Sequence, residues 1–146
     1  MEFIKRNTDY ALRALVYMAE MGGEKPYPMG DIATATGAPE TFLRKVIQRL
    51  DAAGVVATKR GVGGGVSFRK QPEAISIFEI VEAVQGPLAI NKCFLSDREC
   101  VDQGACRIRR NLVEIQDDVI DLFKTATVAK LARNTKPKGG KNAKRN

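Results

Sequence analysis

Histidine is absent from this sequence of 146 residues, and cysteine occurs three times. A structural zinc site usually takes four Cys or His ligands, so zinc here would have to recruit a carboxylate or bridge two chains. The lack of histidine, of a nucleophile beside an evident base and of a convincing cofactor loop also argues against an enzyme. Apolar runs are short. None approaches the roughly 18 to 20 residues that cross a membrane. The N-terminus carries Glu2, Lys5, Arg6, Asp9 and Arg13 where a signal peptide would have an apolar core, so a cytoplasmic location is expected. Acids are missing from the stretch after Thr135, where Lys136, Lys138, Lys141, Lys144 and Arg145 supply most of the net charge of +7. Total charge therefore says little about a nucleic-acid surface, and local clustering says more.

That clustering lies between Ala38 and Phe68. Pro39 suits the first turn of a helix, where its missing N–H costs nothing, and Gly54 suits the left-handed residue just past its end. Between them Phe42, Leu43, Val46, Ile47 and Leu50 recur at helical spacing, while Thr41, Arg44, Lys45, Gln48 and Arg49 fall mainly on the opposite side. Such a helix docks on a core and offers cations to phosphate. Val55 to Lys59 and Val66 to Lys70 then alternate like strands, and the glycines at 61, 63, 64 and 65 permit a tight reversal. The glycines are not a phosphate loop, because no Lys-Ser/Thr follows them and the next residues alternate instead of opening a helix. A wing tip fits better, with Lys59 and Arg60 before it and Arg69 and Lys70 after it.

Upstream, Asn7 or Thr8 is placed to cap a first helix whose stripe is Leu12, Leu15, Val16 and Ala19, ended by Gly22 and Gly23. A short second helix starts at Tyr27-Pro28-Met29 and closes at Gly37. Two helices joined by a glycine turn, the second one basic, match helix-turn-helix geometry; a plain helical hairpin with a solvated face is the alternative. Downstream, Ser76-Ile-Phe-Glu79 reads as a capping box, with Ile77, Ile80, Val81 and Val84 inward and Gly86-Pro87 as the stop. Ile108, Leu112, Ile115, Val119, Leu122 and Ala126 form a heptad-like seam on a helix expected to run to Leu131, and the simplest partner for it is a second copy of the chain. The expected architecture is mainly α with a small β-hairpin wing. A winged helix-turn-helix occupies 1–86, a cysteine-bearing segment 87–106, a dimerisation helix 107–133, and a basic disordered tail 134–146.

Cys93, Cys100 and Cys106 are all the cysteines of the protein. Three thiols leave one unpaired in any disulfide scheme, so metal or redox chemistry is the sharper reading. An iron-sulfur cluster is held mainly by thiolates and accepts a non-cysteine ligand on its remaining iron. Spacing alone leaves a cluster, direct thiol sensing, zinc and incidental cysteines open.

Four stretches together carry a resemblance: Thr8-Asp-Tyr-Ala-Leu-Arg13, Asp31-Ile-Ala33 with Phe42-Leu43, Lys59-Arg-Gly-Val-Gly-Gly-Gly65, and the three-cysteine segment before the last long helix. Along residues 1–133 the chain resembles the Rrf2 family of bacterial winged-helix regulators, in particular its iron-sulfur members. The resemblance implies a homodimer that binds a double-stranded DNA operator, and a 2Fe-2S or 4Fe-4S cluster whose state alters that binding. The signal would be nitric oxide, redox state or iron supply, and the expected output is repression. Cys93, Cys100 and Cys106 fall on the family's ligand positions. Some members add a histidine three residues after the last cysteine, where this chain has Arg109. Others use an aspartate near the N-terminus of the other subunit, and Asp9 sits at the matching place. An acid in the first turn of a helix is also favoured by the helix dipole alone.

Pro39, Glu40, Thr41 and Arg44 lie toward the N-terminal end of the basic helix, where base edges are usually met, and Arg44 can bridge guanine O6 and N7. Lys45, Arg49, Lys59 and Arg60 are expected on phosphates. Two other readings compete: a cluster-free regulator that senses oxidants through its thiols, and a redox or cluster-carrier protein without DNA function.

Overall fold

The computed structural model describes residues 3–95 and 105–133. Its helices are α1 (Arg6–Glu20), α2 (Met29–Thr36), α3 (Glu40–Ala52), α4 (Ile77–Gln85), α5 (Arg107–Thr125) and α6 (Val128–Arg133). Between α3 and α4 lie β1 (Val56–Lys59) and β2 (Gly65–Phe68), an antiparallel pair in which Val56 faces Phe68 and Lys59 faces Gly65. Fold class is therefore as the sequence indicates, mainly helical with one hairpin.

The apolar stripe of α3 is the floor of the core. Leu43, Ile47 and Leu50 are fully buried and Val46 nearly so. Removing each such side chain from water stabilises the fold by about 1.5–3 kcal/mol. Phe42 is only half-buried, set edge-on against Tyr10 of α1 at 5.7 Å between ring centroids. Pro39 stands just before the helix, its carbonyl accepting from the Phe42 and Leu43 amides. Gly54, at φ +75°, turns the chain into β1.

Against this floor lies α1, and here the sequence expectation shifts. Ala11, Ala14, Leu15 and Met18 are the fully buried residues; Leu12, Val16 and Ala19 lie at the margin. Neither Asn7 nor Thr8 caps the helix, because the N-cap is Lys5 and no side chain bonds there. The Thr8 hydroxyl is instead buried and donates to Gln85 Oε1 at 2.7 Å. At α4 the Ser76 hydroxyl accepts from the Glu79 amide at 3.1 Å, while the Glu79 carboxylate pairs with Lys70.

The helix expected to reach Leu131 ends at Thr125. Ala126 is extended (ψ 117°), its carbonyl accepts from the Ile77 amide at 2.9 Å, and the Val128 amide donates to the Ile75 carbonyl at 2.9 Å. The chain thus turns back onto the entry to α4, and α6 packs along α1 with Val128 fully buried. The seam of α5 is only partly covered: Leu112 and Val119 are half-buried, while Ile108, Ile115 and Leu122 are 70%, 52% and 66% exposed.

Candidate nucleic-acid interface and metal centre

Side chains from α3 and the hairpin converge on one groove of about 390 Å³. Arg44 and Gln48, one helical turn apart, form its α3 wall; Lys59, Arg60, Gly61 and Gly64 form the wing wall. Pro28 and Met29, at the start of α2, close one end. Arg44 pairs with Glu40 across one helical turn, but both groups are about half exposed. Such a surface pair is worth about 0.3–0.5 kcal/mol, so a phosphate or a guanine edge can displace it.

Pro39, Glu40, Thr41 and Lys45 are exposed at the N-terminal half of α3. No side chain caps that end, so the Glu40 and Thr41 amides have no partner within the helix. The structure brings Arg44, Lys59 and Arg60 to the groove and leaves Pro39, Glu40, Thr41 and Lys45 outside its lining. Arg49 is also outside the lining, and its guanidinium donates to the Val84 carbonyl at the end of α4. Gln48 belongs to the groove and was not among the expected contacts, although its spacing of four from Arg44 is a sufficient signal.

Wing geometry is set by backbone proximity. The Tyr27 amide and carbonyl both bond Val66 at 2.8 Å, so the residue before Pro28 acts as a third, one-residue strand. A Cβ on Gly65 would fall 2.3 Å from the Tyr27 carbonyl oxygen, and one on Gly64 would fall 2.3 Å from that of Lys59. Arg69 and Lys70, which follow the wing tip, are engaged within the protomer. Arg69 donates through Nε to the Val56 carbonyl at 2.8 Å and through Nη2 to Asp51 Oδ1 at 2.9 Å, and Lys70 holds Glu79. Asp51 Oδ2 also accepts from the Thr58 hydroxyl at 2.7 Å. These bonds, Thr58 first and Arg69 second, hold the Asp51 carboxyl below its ordinary range. The last turn of α3 is thereby fastened to β1 and to the residue that follows β2.

Cys93 lies in a single 3-10 turn (Lys92–Phe94), and Cys106 is the N-cap of α5, its Sγ accepting from the Arg109 amide at 3.4 Å. Both are free and half-buried. Cys100 lies outside the described residues, as do residues 134–146. Arg109 links the two cysteine segments. Its backbone bonds Cys106, its guanidinium lies 5.6 Å from the centre of the Phe94 ring beside Cys93, and its buried Nε has no hydrogen-bond partner among the described residues. Two free thiols, one of them at a helix N-terminus, and a cationic side chain that contacts both segments suit an anionic, sulfur-rich group. Cys93 and Cys106 therefore fit as thiolate ligands of an iron-sulfur cluster. Asp9 stands in the first turn of α1, where its Oδ2 accepts from Arg13 Nε at 2.8 Å. Among the described residues no three Cys, Asp or Glu side chains gather as a metal site, so Asp9 does not join Cys93 and Cys106 within one protomer.

Helices α2 and α3, their glycine turn and a hairpin that brings cations to the exposed face of α3 define a winged helix-turn-helix protein. A family model described as Rrf2, iron-dependent transcriptional regulator, matches residues 4–134. The chain belongs to the Rrf2 family of transcriptional regulators. It is 34% identical over 125 residues to the transcriptional repressor NsrR of Streptomyces coelicolor, covering 85% of this chain and 84% of that protein. NsrR of Geobacillus kaustophilus is 32% identical over 125 residues, with 85% of each chain covered. Among solved structures, CymR of B. subtilis, a global cysteine regulator, superposes with a TM-score of 0.78 at 26% identity, covering 92% of this chain and 99% of that one. T. potens IscR shares the fold with a TM-score of 0.68 at 21% identity, covering 89% and 85%. These relatives are regulators of transcription and not enzymes.

Proposed function

We propose that the protein is a homodimeric, operator-binding repressor whose grip on DNA is controlled by an iron-sulfur cluster held at Cys93, Cys100 and Cys106. The observation that carries the DNA half is the groove that unites Arg44 and Gln48 with Lys59 and Arg60. In this reading α3 enters the major groove, and Arg44 leaves Glu40 for a base edge. Lys59 and Arg60 hold backbone phosphates, while the open N-terminus of α3, with Pro39, Glu40, Thr41 and Lys45, sets its register. The exposed seam of Ile108, Ile115 and Leu122 pairs two protomers and so fixes the spacing of the two reading heads. When bound, the cluster supplies a centre sensitive to nitric oxide, redox state or iron supply. Arg109 offsets the negative charge of the thiolates, and Asp9 from the second protomer is the candidate fourth ligand. Loss of the ligand set releases the 87–106 segment and shifts the population of DNA-competent dimers.

A cluster-free reading uses the same half-exposed thiols directly, through a sulfenic acid or a reversible disulfide. One experiment separates them: an absorption spectrum of protein purified without air, with iron and acid-labile sulfide counted per chain. Visible bands with matching iron and sulfide are expected. A protein that stays colourless after anaerobic reconstitution would leave the DNA-binding reading intact and transfer control to the thiols.

A further inference from the structure

The last turn of α4 is gripped from two sides. From α3, the Arg49 guanidinium donates to the Val84 carbonyl. From the N-terminal segment come three bonds to one side chain: Gln85 Oε1 accepts from the Lys5 amide at 3.1 Å and from the buried Thr8 hydroxyl at 2.7 Å, and Gln85 Nε2 donates to the Phe3 carbonyl at 3.0 Å. Directly beyond, Gly86 at φ +89° sends the chain into the segment that bears Cys93. There the Ile90 amide donates to Gln116 of α5 at 3.1 Å. One helical turn therefore touches the recognition helix, the start of α1 beside Asp9, and the path to the cysteines.

We propose that Val84 and Gln85 form the joint through which the state of the cysteine segment reaches the recognition helix, with Arg49 and Gln85 as its positioning residues. The inference rests on the reading of the chain as a regulator controlled at its cysteines. Carbonyls at a helix C-terminus carry partial negative charge, and a guanidinium is a strong, directional donor to them. Arg49 lies five residues from Arg44, about 7.5 Å along the helix axis. The apolar face of α3 is close-packed, so a displacement taken up at Arg49 moves the helix as a body and is not absorbed between the two arginines. Arg49 is also outside the lining of the groove that holds Arg44, Lys59 and Arg60.

Two measurements on the full chain test this. In cluster-free protein, Gln85→Leu is expected to speed amide hydrogen exchange several-fold in α3 and to leave α2 unchanged. Gln85→Glu keeps acceptors for Lys5 and Thr8 but cannot donate to Phe3, so it should fall between. Faster exchange confined to residues 3–9 would overturn the joint. Second, Arg49→Met and Arg49→Lys are titrated across salt against a duplex that the wild-type protein selects from a randomised pool, with protein iron-loaded or stripped by chelator. The joint predicts that the affinity ratio between the two forms collapses toward one in Arg49→Met, recovers in Arg49→Lys, and that the salt slope of the stripped form is kept. If the slope drops by about 0.9 in both forms with the ratio intact, Arg49 is a phosphate contact and the proposal is wrong. Wild-type protein that holds no iron would fail the cluster reading alone, and the exchange measurement would still decide the joint.

Discussion

The winged domain and the cysteine-bearing half of the chain are built on opposite terms. In the first, every apolar residue of the α3 stripe except Phe42 is buried, and its last turn is tied to the wing through Asp51. In the second, α5 has no fully buried residue, four of its large apolar residues are exposed, and Arg109 Nε is buried without a partner among the described residues. A region complete within one protomer serves as a rigid reading head. The proposed function assigns the exposed apolar surface of the other region to a second chain and its unpartnered cationic donor to an anionic group.

That contrast can be broken most forcefully by paired truncations. Leu50→Ala empties a fully buried site and is expected to cost about 2–5 kcal/mol whatever the protein concentration. Leu122→Ala removes a side chain that is 66% exposed, and its cost to the isolated protomer should stay within about 0.5 kcal/mol. Its midpoint should instead lie below that of wild type at concentrations where wild type is paired, with the gap closing on dilution, as expected when the lost contact lies between chains. Denaturant melts at several concentrations read both. If Leu122→Ala is indistinguishable from wild type at every dilution, the α5 seam is not the dimer contact. The next largest effect lies within the wing. Gly65→Ala forces a Cβ against the Tyr27 carbonyl and should cost about 1–3 kcal/mol along with DNA affinity, whereas Val62→Ala, at a fully exposed tip, should leave stability unchanged. Thermal melts and a gel shift on the two variants make the comparison.

Sequence pattern located the elements of the reading head because each carries its own local signal: Gly37 and Gly54 at helix ends, alternation in the hairpin, a basic face on α3. It misjudged places where a distant segment decides. Ala11 and Ala14 carry little hydrophobic signal, yet their small size lets neighbouring helices approach α1, so the true stripe lies one residue from the expected one. Thr8 looked like a cap until Gln85, far along the chain, supplied its partner. The long helix breaks at Ala126 because residues 75–77 capture its backbone, and no heptad count shows that. Nor does any local pattern show that Arg49 bonds a backbone carbonyl of α4 or that Arg69 bonds one of β1.

The smallest predicted effect concerns the tie between α3 and the wing. Hydrogen bonds from Thr58 and then from Arg69 place the folded-state value of the Asp51 carboxyl below its unfolded value. The folded state thus prefers the ionised form. Its stabilisation is fully present above the ordinary carboxylate value of about 4 and is lost as pH falls through the lower folded-state value. Asp51→Asn should therefore melt slightly below wild type at neutral pH, and the gap should close on the acid side. The carboxylate is still partly open to water, so solvent screening keeps the difference small. Thermal melts of both proteins over that range check the sign. A gap that stays constant with pH would mean that Asp51 fastens the wing through geometry alone, as the neutral amide would, and that charge plays no part in joining the recognition helix to its hairpin.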